Sequence, residues 1–210
     1  MVVPTRSNRG GLLRRGLWLS LCTVAWNVVE AVVAIAAGAI ASSVALISFG
    51  IDSSVEIISA AVVSQRLWRE LRGLAAHDTE RLERRTARIT GGLLLLLALY
   101  IVMDAGRRLL GFGADADASL AGIALTALSL LVMPLLGWAK LRTARALQSA
   151  ALRADAFETI TCAWLSLTTL AGLALNAGFG WSWADPLAAI LIVPIIVREG
   201  IEGWQGGERE

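Results

Sequence analysis

Residues 89–110 read ITGGLLLLLALYIVMDAGRRLL, a nearly unbroken apolar stretch. As a helix it is long enough to cross the hydrocarbon core of a bilayer, which takes about 20 residues. Seven arginines crowd the 23 residues before it, from 66 to 88, whereas its other end carries only Arg107 and Arg108. An apolar helix with one heavily basic flank reads as a membrane span whose basic side faces the cytoplasm.

Working outward from it, five more stretches approach the same length, roughly residues 17–41, 43–65, 118–139, 156–177 and 184–204. Together they take up most of the 210 residues, of which 56% are hydrophobic and 17% charged, with a mean hydropathy of +0.66. A soluble domain of this size is far less apolar. The last stretch is the weakest, because its uninterrupted apolar part runs only from Pro186 to Val197. Arg198 can snorkel, and Trp181, Trp183 and Trp204 suit the two interfaces. On a six-span topology 17 of the 19 Lys and Arg residues fall on one side. The fold expected is therefore an all-α integral membrane bundle of six transmembrane helices with both termini cytoplasmic. Residues 1–16 form a basic cytoplasmic segment, 17–204 the six-span domain and 205–210 a short cytoplasmic tail with no room for a soluble domain. A cleaved leader fits poorly, since the first apolar run is long and contains Asn27 and Glu30. The lipid bilayer is thus a partner, and no nucleic acid is expected.

The connections are short or helical. GAIASS between the first two spans and NAGFGWSWADP before the last are tight turns. Residues 64–88, SQRLWRELRGLAAHDTERLERRTAR, are rich in helix formers and extend the second and third helices into the cytoplasm; 139–156, without Pro or Gly, is expected to stay helical. Cys22 and Cys162 lie within apolar stretches and read as buried thiols, with no disulfide framework or CxxC knuckle. Gly91, Gly92, Gly122 and Gly172 read as points of close helix contact.

Against this background, SFGIDSSVEIIS at 48–59 places two acids inside a span. An acid at the centre of a span costs about 2.5–3.5 kcal/mol on insertion scales, which makes it functional by default. Asp52 and Glu56, four residues apart on a helix, lie about 40° apart on one face. Two like charges so placed are unfavourable unless a proton or a cation lies between them. RADAFETITCAWLSL at 153–167 repeats the spacing with Glu158 and Cys162, an oxygen and a sulfur ligand on one face. Two such helices facing each other supply four ligands, the number a tetrahedral Zn²⁺ or Cd²⁺ takes. Plainer roles compete: Asp52 and Glu56 bonded to neighbouring hydroxyls and amides, Asp155 and Glu158 as a capping box at a helix start, and Cys162 as a small hydrophobe. Asn27, Glu30 and Asp104 either line an ion path or bond to neighbouring helices. His77, with Asp78 and Glu80 nearby, is either a second metal site or a solvated loop residue.

Three stretches, SSVALISFGIDSSVEIISA (42–60), ALRADAFETITCAWLSLTTLAG (151–172) and WADPLAAILIVPIIVREG (183–200), resemble the second, fifth and sixth spans of the cation diffusion facilitators, six-span metal and proton antiporters. The resemblance implies a metal held by two residues four apart on the second span and two on the fifth, which here are Asp52, Glu56, Glu158 and Cys162. Zinc-transporting members usually carry His and Asp at the last two positions. The family's cytoplasmic domain, which binds metal and helps hold a dimer, has no counterpart in residues 205–210, so the resemblance leaves a homodimer open and carries over neither dimerisation nor metal sensing; shortened members without this domain exist in the family.

The function expected is proton-coupled efflux of divalent metal ions across a cell membrane, such as a bacterial inner membrane. No permanent cofactor is expected: the metal is the transported substrate, and protons are the counter-ion. Thiolate softness puts Zn²⁺ first, then Cd²⁺, Co²⁺ and Fe²⁺. Deprotonation of the ligands on metal binding supplies the exchange, and rocking of helices about a midplane site supplies the alternation. The rival readings are an exporter of organic cations and a non-transporting membrane scaffold. An enzyme is the least expected class, because the chain has no HExxH, no GxSxG and no His near Cys162.

Overall fold

The computed structural model describes residues 6–41, 44–73, 79–112, 120–179, 181 and 183–205. Among them there is no strand. Five long helices, α1 (Arg6–Ala41), α2 (Val44–Leu71), α3 (Thr79–Leu109), α4 (Leu120–Leu147) and α5 (Ala150–Phe179), precede two short ones, α6 (Ala184–Ile190) and α7 (Val193–Trp204). Three of them, over Arg9–Ala37, Arg81–Leu109 and Gly122–Leu147, are long and apolar enough to cross a membrane by length and composition. His77 lies outside the described residues, as do 1–5 and 206–210.

The last span is therefore two helical pieces, α6 and α7, rather than the single helix expected over 184–204. Pro194 has no N–H for the carbonyl of Ile190, and its ring crowds that carbonyl, so the helix stops there and restarts with proline in its first turn. The helical extensions at 64–88 do form, with α2 reaching Leu71 and α3 starting at Thr79. Residues 139–156, expected to be one helix, break at Gln148, whose φ of 52° lies in the left-handed region. That break lets α5 reverse and pack along α4. The new helix start is held from outside and inside: Ala151 N–H donates to Glu83 Oε1 of α3 at 3.0 Å and Leu152 N–H to Ser149 Oγ at 3.1 Å.

α1 packs on α2, α4 on α5, and α1 and α2 close the ring against α4 and α5, making a four-helix core; α3 and α7 pair beside it against α5. The amphipathicity is inverted relative to a soluble bundle. Ser20, Thr23, Asn27 and Glu30 follow helical spacing along the buried face of α1, while Trp18, Val28, Val32 and Ile40 face outward. Leu96, Leu99, Leu131 and Leu135 do the same on α3 and α4, Leu131 with 68% of its surface exposed. Lipid rather than water suits that surface. In lipid the helices gain little from burying apolar area against one another, so close packing and polar contacts hold the bundle. Cys22 is among the outward residues, contrary to its reading as a buried thiol, and only Cys162 is buried.

At the end where α1 starts, α2 ends and α4 turns into α5, an apolar plug of Leu13, Val63, Leu67, Leu147 and Leu152 fills the core. Ion pairs surround it. Arg66 of α2 reaches Glu70 at 2.7 Å and Glu83 of α3 at 2.8 Å, Arg9 of α1 reaches Glu70 at 2.7 Å, and Arg153 of α5 reaches Glu199 of α7 at 2.7 Å. At the other end Trp181 stacks on Trp183 with ring centroids 5.5 Å apart, as an interfacial aromatic would.

Gly91 and Gly92 do mark a close contact, the one between α3 and α7. A Cβ on Gly91 would lie 2.5 Å from Trp204 N and 2.7 Å from Gly200 O, both backbone atoms that cannot swing aside. Gly91→Ala is therefore expected to lower stability by about 1–3 kcal/mol, as overpacking does, read as an earlier midpoint in a mixed-micelle unfolding titration. Gly106→Ala, where a Cβ meets nothing within 4 Å, is the control and is expected to be neutral or stabilising. Gly122 offers its carbonyl to Thr126 Oγ1 at 2.6 Å, and the surroundings of Gly172 lie outside what is described.

Candidate metal centre

Both halves of the expected ligand set lie inside the four-helix core. α2 buries Asp52, Ser53, Glu56 and Ser59, and α5 buries Asp155, Glu158, Thr159 and Cys162. The pattern follows from helix geometry, since each pair four apart returns to the same face after one turn. Thr159 Oγ1 donates to Glu56 Oε1 at 2.6 Å, a direct bond between the fifth and second helices at this level.

Behind that bond stands a cation. Lys140 of α4 pairs with Asp155 Oδ2 at 2.9 Å, both side chains fully buried, and its Nζ also donates to Thr159 Oγ1 at 3.0 Å. Ser20 Oγ of α1 donates to the same Asp155 oxygen at 3.2 Å. Asp155 is thus no helix cap; it lies beyond the first turn of α5, and Ser149 and Glu83 hold the helix start. The resulting chain runs from Ser20 through Asp155, Lys140 and Thr159 to Glu56 and draws on all four core helices.

Glu158 is buried with no well-formed hydrogen bond to either carboxylate oxygen, and the Ser59 hydroxyl of α2, its hydrogen-bonding neighbour, lies outside normal hydrogen-bond geometry. A carboxylate desolvated with so little bonding is costly, so Glu158 holds unused coordinating capacity. One turn on, Cys162 packs with Met133 and Ala163 under Trp26 and Phe49. Glu30 of α1 accepts hydrogen bonds from Ser129 of α4 and, at 3.4 Å, from Ser53 of α2, so of its two readings the bonding to neighbouring helices holds. Asn27, also fully buried, has no partner for either amide atom. Asp104 pairs with Arg108 on its own helix at 2.8 Å.

Asp52, Glu56, Glu158 and Cys162 therefore share one buried polar layer between α2 and α5. They do not converge on a point: among the described residues no three His, Cys, Asp or Glu side chains stand close enough together to hold one ion. What reading by composition missed is the Lys140–Asp155 pair. Lys140 counts among the 17 basic residues of one side of the six-span topology, although Ser129, Met133 and Lys140 follow helical spacing down one face of α4. That spacing was the available signal.

Residues 20–202 match the Cation efflux transmembrane domain. A cadmium, cobalt and zinc/H(+)-K(+) antiporter of Bacillus velezensis is 28% identical over 122 residues, covering 58% of this chain and 38% of the relative. The protein of the same name in Bacillus subtilis matches to the same extent. An uncharacterized transporter of Synechocystis sp. is 33% identical over 102 residues, covering 49% of this chain and 33% of the relative. The matches thus span little more than a third of those relatives' length.

Proposed function

Since this multi-pass membrane chain belongs to the cation efflux family of transporters, the cation diffusion facilitators, we propose that it exports divalent metal ions in exchange for protons, with Asp52, Glu56, Glu158 and Cys162 as the ligands. Zn²⁺ is the first substrate, followed by Cd²⁺, Co²⁺ and Fe²⁺. The observation that carries this reading is Glu158, a buried carboxylate with no well-formed hydrogen bond and only the Ser59 hydroxyl beside it, one turn from a buried thiol and on the helix that faces Asp52 and Glu56.

The chemistry follows from charge and softness. Four deprotonated ligands carry twice the charge of the ion, so protons compete for the excess and binding releases them. A thiolate favours Zn²⁺ and Cd²⁺, while three carboxylates favour harder ions, which yields a site broader than an all-thiolate one. Binding requires these side chains to draw together, by a shift of α5 against α2. The apolar plug and its ion pairs close the basic, cytoplasmic end, so loading from that side requires Leu67 of α2 and Leu152 of α5 to part. The membrane is the bacterial inner membrane, with both termini in the cytoplasm.

The experiment is metal uptake by proteoliposomes containing wild type or Cys162→Ser, run in parallel with cadmium and cobalt. Losing the soft ligand is expected to reduce cadmium uptake about tenfold or more and cobalt uptake much less. Equal losses for both metals, or none, would remove Cys162 from the ligand set.

A further inference from the structure

Lys140 is the only lysine in a chain with eighteen arginines, and it is fully buried in the polar layer. Its ammonium is a compact charge fixed by three contacts at most, of which two are plain: Asp155 Oδ2 at 2.9 Å and Thr159 Oγ1 at 3.0 Å. Thr159 in turn donates to Glu56 Oε1 at 2.6 Å. Glu56 and Glu158 both lie within electrostatic reach of Lys140 and of Asp155. The pair is neutral as a unit, yet each member acts on a nearby divalent ion with opposite sign. A transport site must hold its ion firmly enough to take it up and weakly enough to let it go. Surplus negative charge without a counterweight would trap a dication.

We propose that Lys140 and Asp155 form a fixed, charge-balanced pair that sets the affinity of the acidic layer for its metal, the ammonium weakening metal binding and the carboxylate strengthening it. This rests on the ligand assignment above. Neither residue touches the metal; both are positioning residues that act through Thr159 and through space. In a low-dielectric interior a unit charge a few ångströms from a dication has a large effect on affinity.

The test is a zinc titration of the full chain in detergent micelles, by calorimetry in competition with a chelator. Lys140→Met is expected to tighten zinc binding by about tenfold or more, and Asp155→Asn to weaken it by about tenfold or more. Lys140→Met/Asp155→Asn is expected to return within about threefold of wild type, because the pair is removed as a neutral unit. A purely structural pair gives a different pattern, in which both single variants weaken binding; that result, or unchanged affinity in both, overturns the proposal. Each single variant leaves a buried charge unpaired and risks misfolding. The neutral double variant avoids this, and a zinc affinity in it more than tenfold from wild type also overturns the proposal. Glu56→Gln separates the two layers of inference. If wild type binds no zinc, or Glu56→Gln binds it equally well, the ligand assignment fails and this inference with it. If binding depends on Glu56 but the two single variants do not move in opposite directions, only this inference fails.

Discussion

Glu56→Gln is expected to weaken zinc binding more than about a hundredfold, equivalent to ~2.7 kcal/mol or more, without loss of the fold. Glutamine matches glutamate in shape and keeps a carbonyl oxygen to accept the Thr159 hydrogen bond, which spans 2.6 Å in the structure. What it removes is charge. Glu56 is 4% exposed and in the same layer as Asp52, and since the nearby Lys140 is already paired with Asp155, holding the Glu56 carboxylate ionised in this interior is costly in the absence of a metal ion. The same substitution should therefore leave metal-free stability unchanged or raise it. Opposite movements of affinity and stability are the mark of a residue retained for ligand binding at the expense of the fold. Calorimetric zinc titration and metal-free unfolding of the same sample check both. A variant that loses stability and keeps its zinc affinity would show that Glu56 is a structural acid serving Thr159.

The second large effect lies at the basic end. Arg66→Ala is expected to destabilise the bundle by about 3 kcal/mol, the scale for breaking a buried ion pair from one side. The Arg66 side chain is 4% exposed and holds Glu70 at 2.7 Å and Glu83 at 2.8 Å, which are themselves 11% and 18% exposed. Its removal leaves two half-enclosed carboxylates facing each other. Arg9 still reaches Glu70, so the larger loss falls on Glu83, which also receives Ser149 Oγ and Ala151 N–H at the start of α5. Weakening Glu83 therefore loosens the helix that carries Glu158 and Cys162. Arg66→Lys should recover only part of the loss, because a single ammonium cannot match the planar fork that spans both carboxylates. Arg66→Ala/Glu83→Gln should be more stable than Arg66→Ala alone. Unfolding titrations in mixed micelles measure all three, and a loss below about 0.5 kcal/mol for Arg66→Ala would mean that the pairs are surface ornaments in energetic terms.

The spans were legible because hydropathy and the placement of arginine report on the bilayer, a solvent that acts on whole helices. The buried acids of α2 and α5 were legible for a related reason, since an acid in a span stands out against its neighbours. Features set by single contacts were harder to read. Pro194 lay in the quoted sixth span, but an otherwise continuous apolar pattern hid the helix break at 191–192. The turn at Gln148 carries no glycine or proline, and its backbone is set by the docking of α5 along α4. Cys22 and Lys140 were misplaced for one reason: each was assigned by the character of its segment and not by its helical face. Cys22 belongs to the outward stripe of α1 beside Trp18, and Lys140 to the inward face of α4 with Ser129 and Met133. The failure of Asp52, Glu56, Glu158 and Cys162 to converge has no trace in sequence at all, because spacing specifies the face of a helix and not its separation from the next.

The most direct test of the central claim is zinc flux into proteoliposomes under an imposed pH gradient, with wild type and Glu56→Gln side by side. Gradient-driven zinc movement in wild type, reduced in the variant to the level of protein-free liposomes, is the result predicted. Wild type that moves no zinc, cadmium, cobalt or ferrous iron under any gradient, or a variant that moves zinc as fast as wild type, would contradict it.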